Sequence, residues 1–319
     1  MSPIARLNLG ALLVVMVLTA LARGDSLAGA RMECWLAALV ALTMLAARGG
    51  RSPRPPGAAL EFGVATAVVV SIYESLGAII TALGPAPRDR WVIDAERLLT
   101  RGRWPPLAPV SWPSWTFDAL SAAYVAYFLL PCALIGSLLA ARRVPDAHAA
   151  AFTLLACLYV HYGIYVVMPV VGPIRAVEVP ASVRVALAAE GGRVSHVVRR
   201  AVGSVEDTPQ DAFPSAHTSV AVLTALLARR HRLRSRWFFY ALAVAIVVST
   251  IVLGYHYIVD VVCAAPIVWL VWRVERRGVA ASWPIVSLPQ SCASAALERA
   301  SPCPSLPASA SARGTECRP

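Results

Sequence analysis

Three stretches of the chain carry residues that can do chemistry together. Phe213-Pro214-Ser215-Ala216-His217-Thr218 opens one apolar segment, and Gly254-Tyr255-His256-Tyr257-Ile258-Val259-Asp260 opens another. A third segment closes on Met168-Pro169-Val170-Val171-Gly172-Pro173-Ile174-Arg175. His256 and Asp260 stand at i and i+4, so on a helix they share a face. The carboxylate can then accept from one ring nitrogen and stabilise the imidazolium, leaving the other nitrogen as a nucleophile. His217 is placed to act as a general acid that protonates a leaving oxygen. Arg175 offers a fixed charge and a bidentate fork, and Ser215 reads as a helix N-cap that can also donate to a phosphate oxygen. Two helix N-termini add free N–H groups that suit an anion. These parts describe phosphoryl transfer through a phosphohistidine, with neither a metal nor an organic cofactor. Zinc held by His217, His256 and Asp260 is the competing reading, and it leaves Ser215 and Arg175 without a task.

The elements that must position these residues are membrane spans. The chain has 319 residues, 58% hydrophobic and 15% charged, with a mean hydropathy of +0.63. An ordinary soluble domain is about 45–50% apolar and about 25% charged. A disulfide module, a disordered protein and most cytosolic enzymes are thereby excluded. The pattern predicts an all-α polytopic bundle with eight spans, at 7–22, 32–47, 59–83, 119–141, 149–171, 215–229, 237–254 and 257–274. The first span is expected to be a retained helix rather than a cleaved signal peptide. Residues 1–58 would hold two N-terminal spans, 59–277 a catalytic unit with a six-helix core, and 278–319 a disordered tail rich in Ser, Ala and Pro.

Orientation follows from the arginines. With the N-terminus inside, the inner segments carry 14 arginines against Asp146 and Glu275. They comprise Arg6, Arg48, Arg51, Arg54, Arg142, Arg143, the 229–236 cluster and the 273–277 cluster. Two long loops, 84–118 and 172–214, then face the periplasm or cell exterior of a cell membrane. That topology brings Arg175, His217 and His256 to one membrane face. The net charge of +11 is scattered through short loops, so no nucleic-acid partner is expected. The seven cysteines lack CxxC spacing, which argues against a disulfide framework or a cysteine zinc site.

Other polar residues receive plainer expectations. Trp91, Trp104, Trp112 and Trp115 predict an interfacial 84–118 loop, with a short amphipathic helix near Asp94. Glu74 is expected to face the bundle interior. His161 is expected to make a structural hydrogen bond beneath the site, while His148, His196 and His231 are expected to be solvated. Asp207 and Asp211 are expected to pair with loop arginines.

The paired motifs resemble the type 2 phosphatidic acid phosphatase superfamily over about 150–275. That resemblance implies that Pro214, Ser215 and His217 form its second motif, with Pro214 and Ser215 on the substrate side. His256 and Asp260 then close its third motif. Two departures stand out: Ser249-Thr250 replaces the usual Ser-Arg, and Gly-Pro-Ile-Arg175 replaces the usual first motif. Both resemble the branch related to inositol phosphorylceramide synthase, whose members transfer a phospho-headgroup between lipids. One arginine fewer also favours a phosphodiester over a doubly charged phosphomonoester, unless Arg184, Arg193, Arg199 or Arg200 folds back to replace it.

The expected substrate is therefore a membrane lipid phosphate or phospholipid, with water or a lipid or polyol hydroxyl as acceptor. The oligomeric state is left open. A non-enzymatic transporter or scaffold retaining an anion site is the alternative. A transporter should show inverted repeats or paired broken spans, whereas each motif here occurs once.

Overall fold

A computed structural model describes residues 1–22, 27–49, 55–86, 88–102, 112–205 and 210–277. The 278–319 tail with its three cysteines, Arg51, Arg54, Trp104, Asp207 and the side chain of Arg48 lie outside the described residues. Eight long helices follow the eight expected spans: α1 (Pro3–Ala22), α2 (Leu27–Gly49), α3 (Pro55–Leu83), α5 (Ser114–Ala140), α6 (Val144–Val167), α9 (Ala216–Arg230), α10 (Arg236–Val252) and α11 (Ile258–Arg276). Three shorter helices occupy the two long loops: α4 (Asp89–Thr100), α7 (Ala181–Ala189) and α8 (Arg193–Val205). Among the described residues the only β pairing is an isolated bridge between Val170 and Asp211. The four described cysteines are all free thiols.

Among the described residues, four helices are long and apolar enough to cross a membrane: α1, α3, α5 and α6. α9 has 15 residues, about 22 Å of helix against about 30 Å of hydrocarbon. Its position accounts for this. α9 packs against α5, α6, α10 and α11, and ten of its residues are buried. A helix shielded by its neighbours need neither match lipid thickness nor be apolar all round. Ala221, Ala225 and Ala228 let those neighbours approach closely. Leu130, Leu134 and Leu138 of α5, Leu223 and Leu227 of α9 and Ile246 of α10 fill the surrounding core. α1, α2 and α3 pack on one another, and α1 and α3 also lean on α6.

The arginine-rich turns meet at one end of the bundle. Arg143 donates to the His231 carbonyl at 2.5 Å and to Asp146 at 2.7 Å, and Arg230 lies 3.4 Å from Glu275. Two expectations change here. His231 is buried, 3.5 Å from Asp146, and burial lowers its pKa. His148 contacts the buried Glu61 at 3.1 Å, and Ser2 donates to the same carboxylate. Neither histidine is solvated, because short helical turns bring charged partners together there; His196 does remain exposed. Glu74 also departs from expectation. α3 buries Ile72, Ser75, Leu76, Ile79 and Ile80, and at about 100° per residue Glu74 falls on the opposite, exposed face.

At the other end, carboxylates hold the long loops in place. Amphipathic α4 exposes Trp91 and Leu98 but buries Asp89 and Glu96. Asp89 accepts from the Val171 amide at 3.0 and 3.2 Å. Glu96 accepts from the Ile258 amide at 3.1 Å and the Val259 amide at 2.9 Å, capping the start of α11. Asp118 on α5 accepts from the Gly192 and Ser195 amides, both at 2.9 Å, and so fixes the start of α8. Gly172, at φ +84°, brings its backbone so close that an added Cβ would lie 2.6 Å from the Tyr255 carbonyl oxygen.

Two stability predictions follow from these anchors. Gly172→Ala should cost about 2 kcal/mol or more, combining a left-handed backbone with a backbone clash. A thermal unfolding midpoint equal to wild type in detergent would contradict this. Burial raises the Glu96 pKa despite its two N–H bonds. Between the ordinary carboxylate range and that raised value, the folded state keeps a proton the unfolded state has lost, so stability falls as pH rises. Glu96→Gln removes this loss, so its midpoint should gain on wild type as pH climbs through the window. A gap independent of pH would show that Glu96 does not titrate in this way.

Candidate active site

The three chemistry-bearing stretches are stitched together by backbone hydrogen bonds. The Val170 amide donates to the Gln210 carbonyl at 3.3 Å, and Ala212 returns a bond to Val170 at 2.9 Å. The Ile174 amide donates to Gly254 at 2.9 Å, and the Ser215 amide to the Asp260 carbonyl at 3.1 Å. The Tyr165 hydroxyl adds a bond to the Pro214 carbonyl at 3.1 Å. Segments distant in sequence thus become one scaffold whose register sets the side chains.

His256 is held at one nitrogen and open at the other. Its Nδ1 lies 2.7 Å from the Ala212 carbonyl and 3.4 Å from Asp260 Oδ2. A carbonyl can only accept, so the proton resides on Nδ1 and Nε2 carries the lone pair. Nε2 points at His217 Nδ1, 3.3 Å away. Asp260 is fully buried and its Oδ2 accepts from the Tyr257 amide at 2.7 Å. Its Oδ1 and the Nε2 of His217 are buried without a partner among the described residues. The i, i+4 pairing of His256 with Asp260 is therefore present, with the Ala212 carbonyl as the nearer partner.

His217 sits against an aromatic wall. Its ring centroid is 4.7 Å from Tyr124, stacked, and 4.2 Å from Tyr127, while Tyr124 stacks on Tyr255 at 4.4 Å. Of these, only Tyr255 adjoins a motif; Tyr124 and Tyr127 lie on α5, and no spacing in the sequence links them to His217. The cavity beside the histidines is lined by Tyr124, Arg175, Asp211, His217, Tyr255 and His256, with Val171, Ile174 and Ala212. Its volume is about 20 Å³, room for about one water. A phosphoryl group therefore requires the two imidazoles to part.

The structure brings Arg175, His217 and His256 together at this cavity, with Asp260 behind His256. Ser215 lies just beneath, fully buried, as the N-cap of α9: its Oγ accepts from the Thr218 amide at 3.2 Å and from the Thr218 hydroxyl at 3.1 Å. Pro214 is buried beside it, and neither lines the cavity. His161 makes the structural bonds expected of it, to the Cys157 carbonyl at 2.8 Å and to Ser219 Oγ at 3.0 Å. Asp211 takes a partner that spacing does not suggest, accepting from the Tyr73 hydroxyl of α3 at 2.6 Å. The start of α11 is not open to an anion, because Glu96 and Asp260 already occupy its amides. Thr250, at the position where the motif it resembles usually carries an arginine, is buried and bonds the Val247 carbonyl at 2.8 Å. Arg193, Arg199 and Arg200 line a separate cavity and do not take its place. Among the described residues, no three His, Cys, Asp or Glu side chains gather as ligands for a metal ion.

No curated protein and no solved structure matches the chain. A family model does, over residues 90–274, more than half of the chain and the stretch that contains α4 through most of α11. With that match and its helical bundle of apolar spans, the chain belongs to the PAP2 superfamily, a phosphatase or phosphotransferase-type family of membrane proteins.

Proposed function

We propose that the protein is an integral membrane lipid phosphatase or phosphotransferase that works through a phosphohistidine on His256. The observation that carries this reading is the 3.3 Å approach of His256 Nε2 to His217 Nδ1, in a cavity that Arg175 also lines. The catalytic unit is 59–277, following two N-terminal helices, and the cavity opens on the outer face of a cell membrane.

Phosphorus enters between the two rings, with Arg175 on its equatorial oxygens. The anionic substrate favours the imidazolium form of His217. His256 Nε2 attacks phosphorus and the bond to the leaving alkoxide breaks, that oxygen taking the Nδ1 proton of His217. The phosphorylated imidazole keeps its Nδ1 proton toward the Ala212 carbonyl, and Asp260 offsets its positive charge. Water or an acceptor hydroxyl then gives its proton to His217 and displaces His256 from phosphorus, restoring both rings. Asp260 acts here as a positioning and charge-balancing group.

Within this reading we favour headgroup transfer from a phosphodiester, as in the branch related to inositol phosphorylceramide synthase. Arg175 and Asp211 both line the cavity and Thr250 contributes no charge, a balance better matched to one negative charge than to two.

Purified full-length protein in EDTA, given phosphatidic acid and phosphatidylinositol with ceramide and diacylglycerol, tests the reading by its products. Wild type should form product and His256→Ala none; equal product from both would refute it. A new phospholipid without free phosphate would establish transfer, and free phosphate alone would establish hydrolysis. His217→Ala should lose about 10²–10⁴-fold on alkyl esters. It should lose far less on a p-nitrophenyl ester, whose leaving group needs no proton. Equal losses on both esters would remove His217 from the general-acid role.

A further inference from the structure

Residues of the loop helices α7 and α8 line a second, open cavity that shares no residue with the histidine cavity. Its volume is about 770 Å³, within the range of about 300–1,000 Å³ usual for small-molecule sites. Arg193, His196, Arg199 and Arg200 line it with Ala188 and Val197, and among the described residues no carboxylate lines it. Arg199 is the telling residue. Its Nη2 reaches the Glu190 carbonyl at 3.4 Å, but Nε and Nη1 are buried with no acceptor among the described residues. Two buried guanidinium nitrogens, with three N–H groups between them and no acceptor, are costly unless something supplies the missing oxygens.

The surroundings indicate the chemistry of the ligand. α8 is amphipathic, and its Val198 and Val202 pack with Phe117, Tyr124 and Tyr255. The neighbouring Val194 and Val197 are 44% and 57% exposed. Cationic side chains beside exposed apolar ones, on a helix of a membrane protein's loop, match the boundary between lipid headgroups and acyl chains. A guanidinium pairs with phosphate oxygens along one edge, Nε or Nη1 together with Nη2, and Arg199 keeps an acceptor-free nitrogen on each edge. Arg200 donates Nε to the His196 carbonyl at 3.3 Å, which holds it at the rim.

We propose that the α7–α8 cavity is a binding site for the phosphate headgroup of an anionic phospholipid, held by Arg199 with Arg193 and Arg200. This is a binding site only. It stands independently of the phosphohistidine reading, since none of its residues lines the histidine cavity.

The test uses full-length protein carrying His256→Ala, so that no lipid is turned over. It is placed in phosphatidylcholine nanodiscs doped with phosphatidylglycerol, then released and weighed by native mass spectrometry. Phosphatidylglycerol should be retained in preference to phosphatidylcholine. Adding Arg199→Gln should weaken retention about tenfold, the loss of one charge-assisted contact. The rim pair Arg193→Gln with Arg200→Gln should weaken it while leaving thermal unfolding unchanged, which guards against a folding defect in the Arg199 variant. Arg175→Gln removes only lipid held in the histidine cavity and should leave the share of retention that depends on Arg199 unchanged. Inorganic phosphate should compete for that share only far above the level needed of a short-chain phosphatidylglycerol. Undiminished retention in both sets of variants would overturn the proposal. So would loss through Arg175→Gln alone, which would place the lipid in the histidine cavity. Competition by inorganic phosphate at the level of the lipid would show a site for free phosphate instead.

Discussion

A histidine can attack phosphorus only if one ring nitrogen is kept bare, and the packing around His256 meets that requirement. The Ala212 carbonyl, 2.7 Å from His256 Nδ1, takes the proton-bearing side of the ring and turns Nε2 toward His217. Ala212 is fixed by its own bond to Val170, and Val170 is paired with Gln210. The position of one carbonyl thus depends on the register between the end of α6 and the approach to α9. Asp260 lends negative charge from the first turn of α11 while its carbonyl receives the Ser215 amide. His256, Asp260 and the start of α9 therefore cannot move independently.

Carboxylates hold the rest of this end of the bundle by capping amides far away in sequence. Asp89, Glu96 and Asp118 each take backbone N–H groups from another loop or helix. Such bonds are charge-assisted and stronger than neutral ones. They also change how charge is distributed at the site. Glu96 and Asp260 consume the amides that open α11, so the helix end which looked free to receive a phosphate is already neutralised. Positive charge at the cavity falls to Arg175, beside the start of α9.

Much of this was legible in the sequence, because spans and motifs are local. Apolar runs marked the eight long helices, and Ser215 announced the start of α9 by its type and place. The i, i+4 spacing put Asp260 beside His256. What stayed hidden was long-range. Ala212 contributes a backbone carbonyl, so no side chain signals it. Tyr124 and Tyr127 look like ordinary span residues until α5 packs beside α9. The inward turn of Glu96 was concealed because the four tryptophans made its loop look purely interfacial. Glu74 misled for the converse reason: an acid in an apolar run suggests an interior role, yet helical phase places it outside. His231 became buried and His148 half-buried through partners that the chain order does not bring near.

The central claim is that phosphorus becomes bonded to Nε2 of His256. The direct measurement is to mix the full-length protein with a phospholipid labelled at phosphorus, quench in alkali and sequence the labelled peptide. A phosphohistidine is stable in alkali and lost in acid. The account predicts an alkali-stable, acid-labile label on His256 that disappears when acceptor is added. Turnover with no such label, or with the label on any other residue, would contradict it.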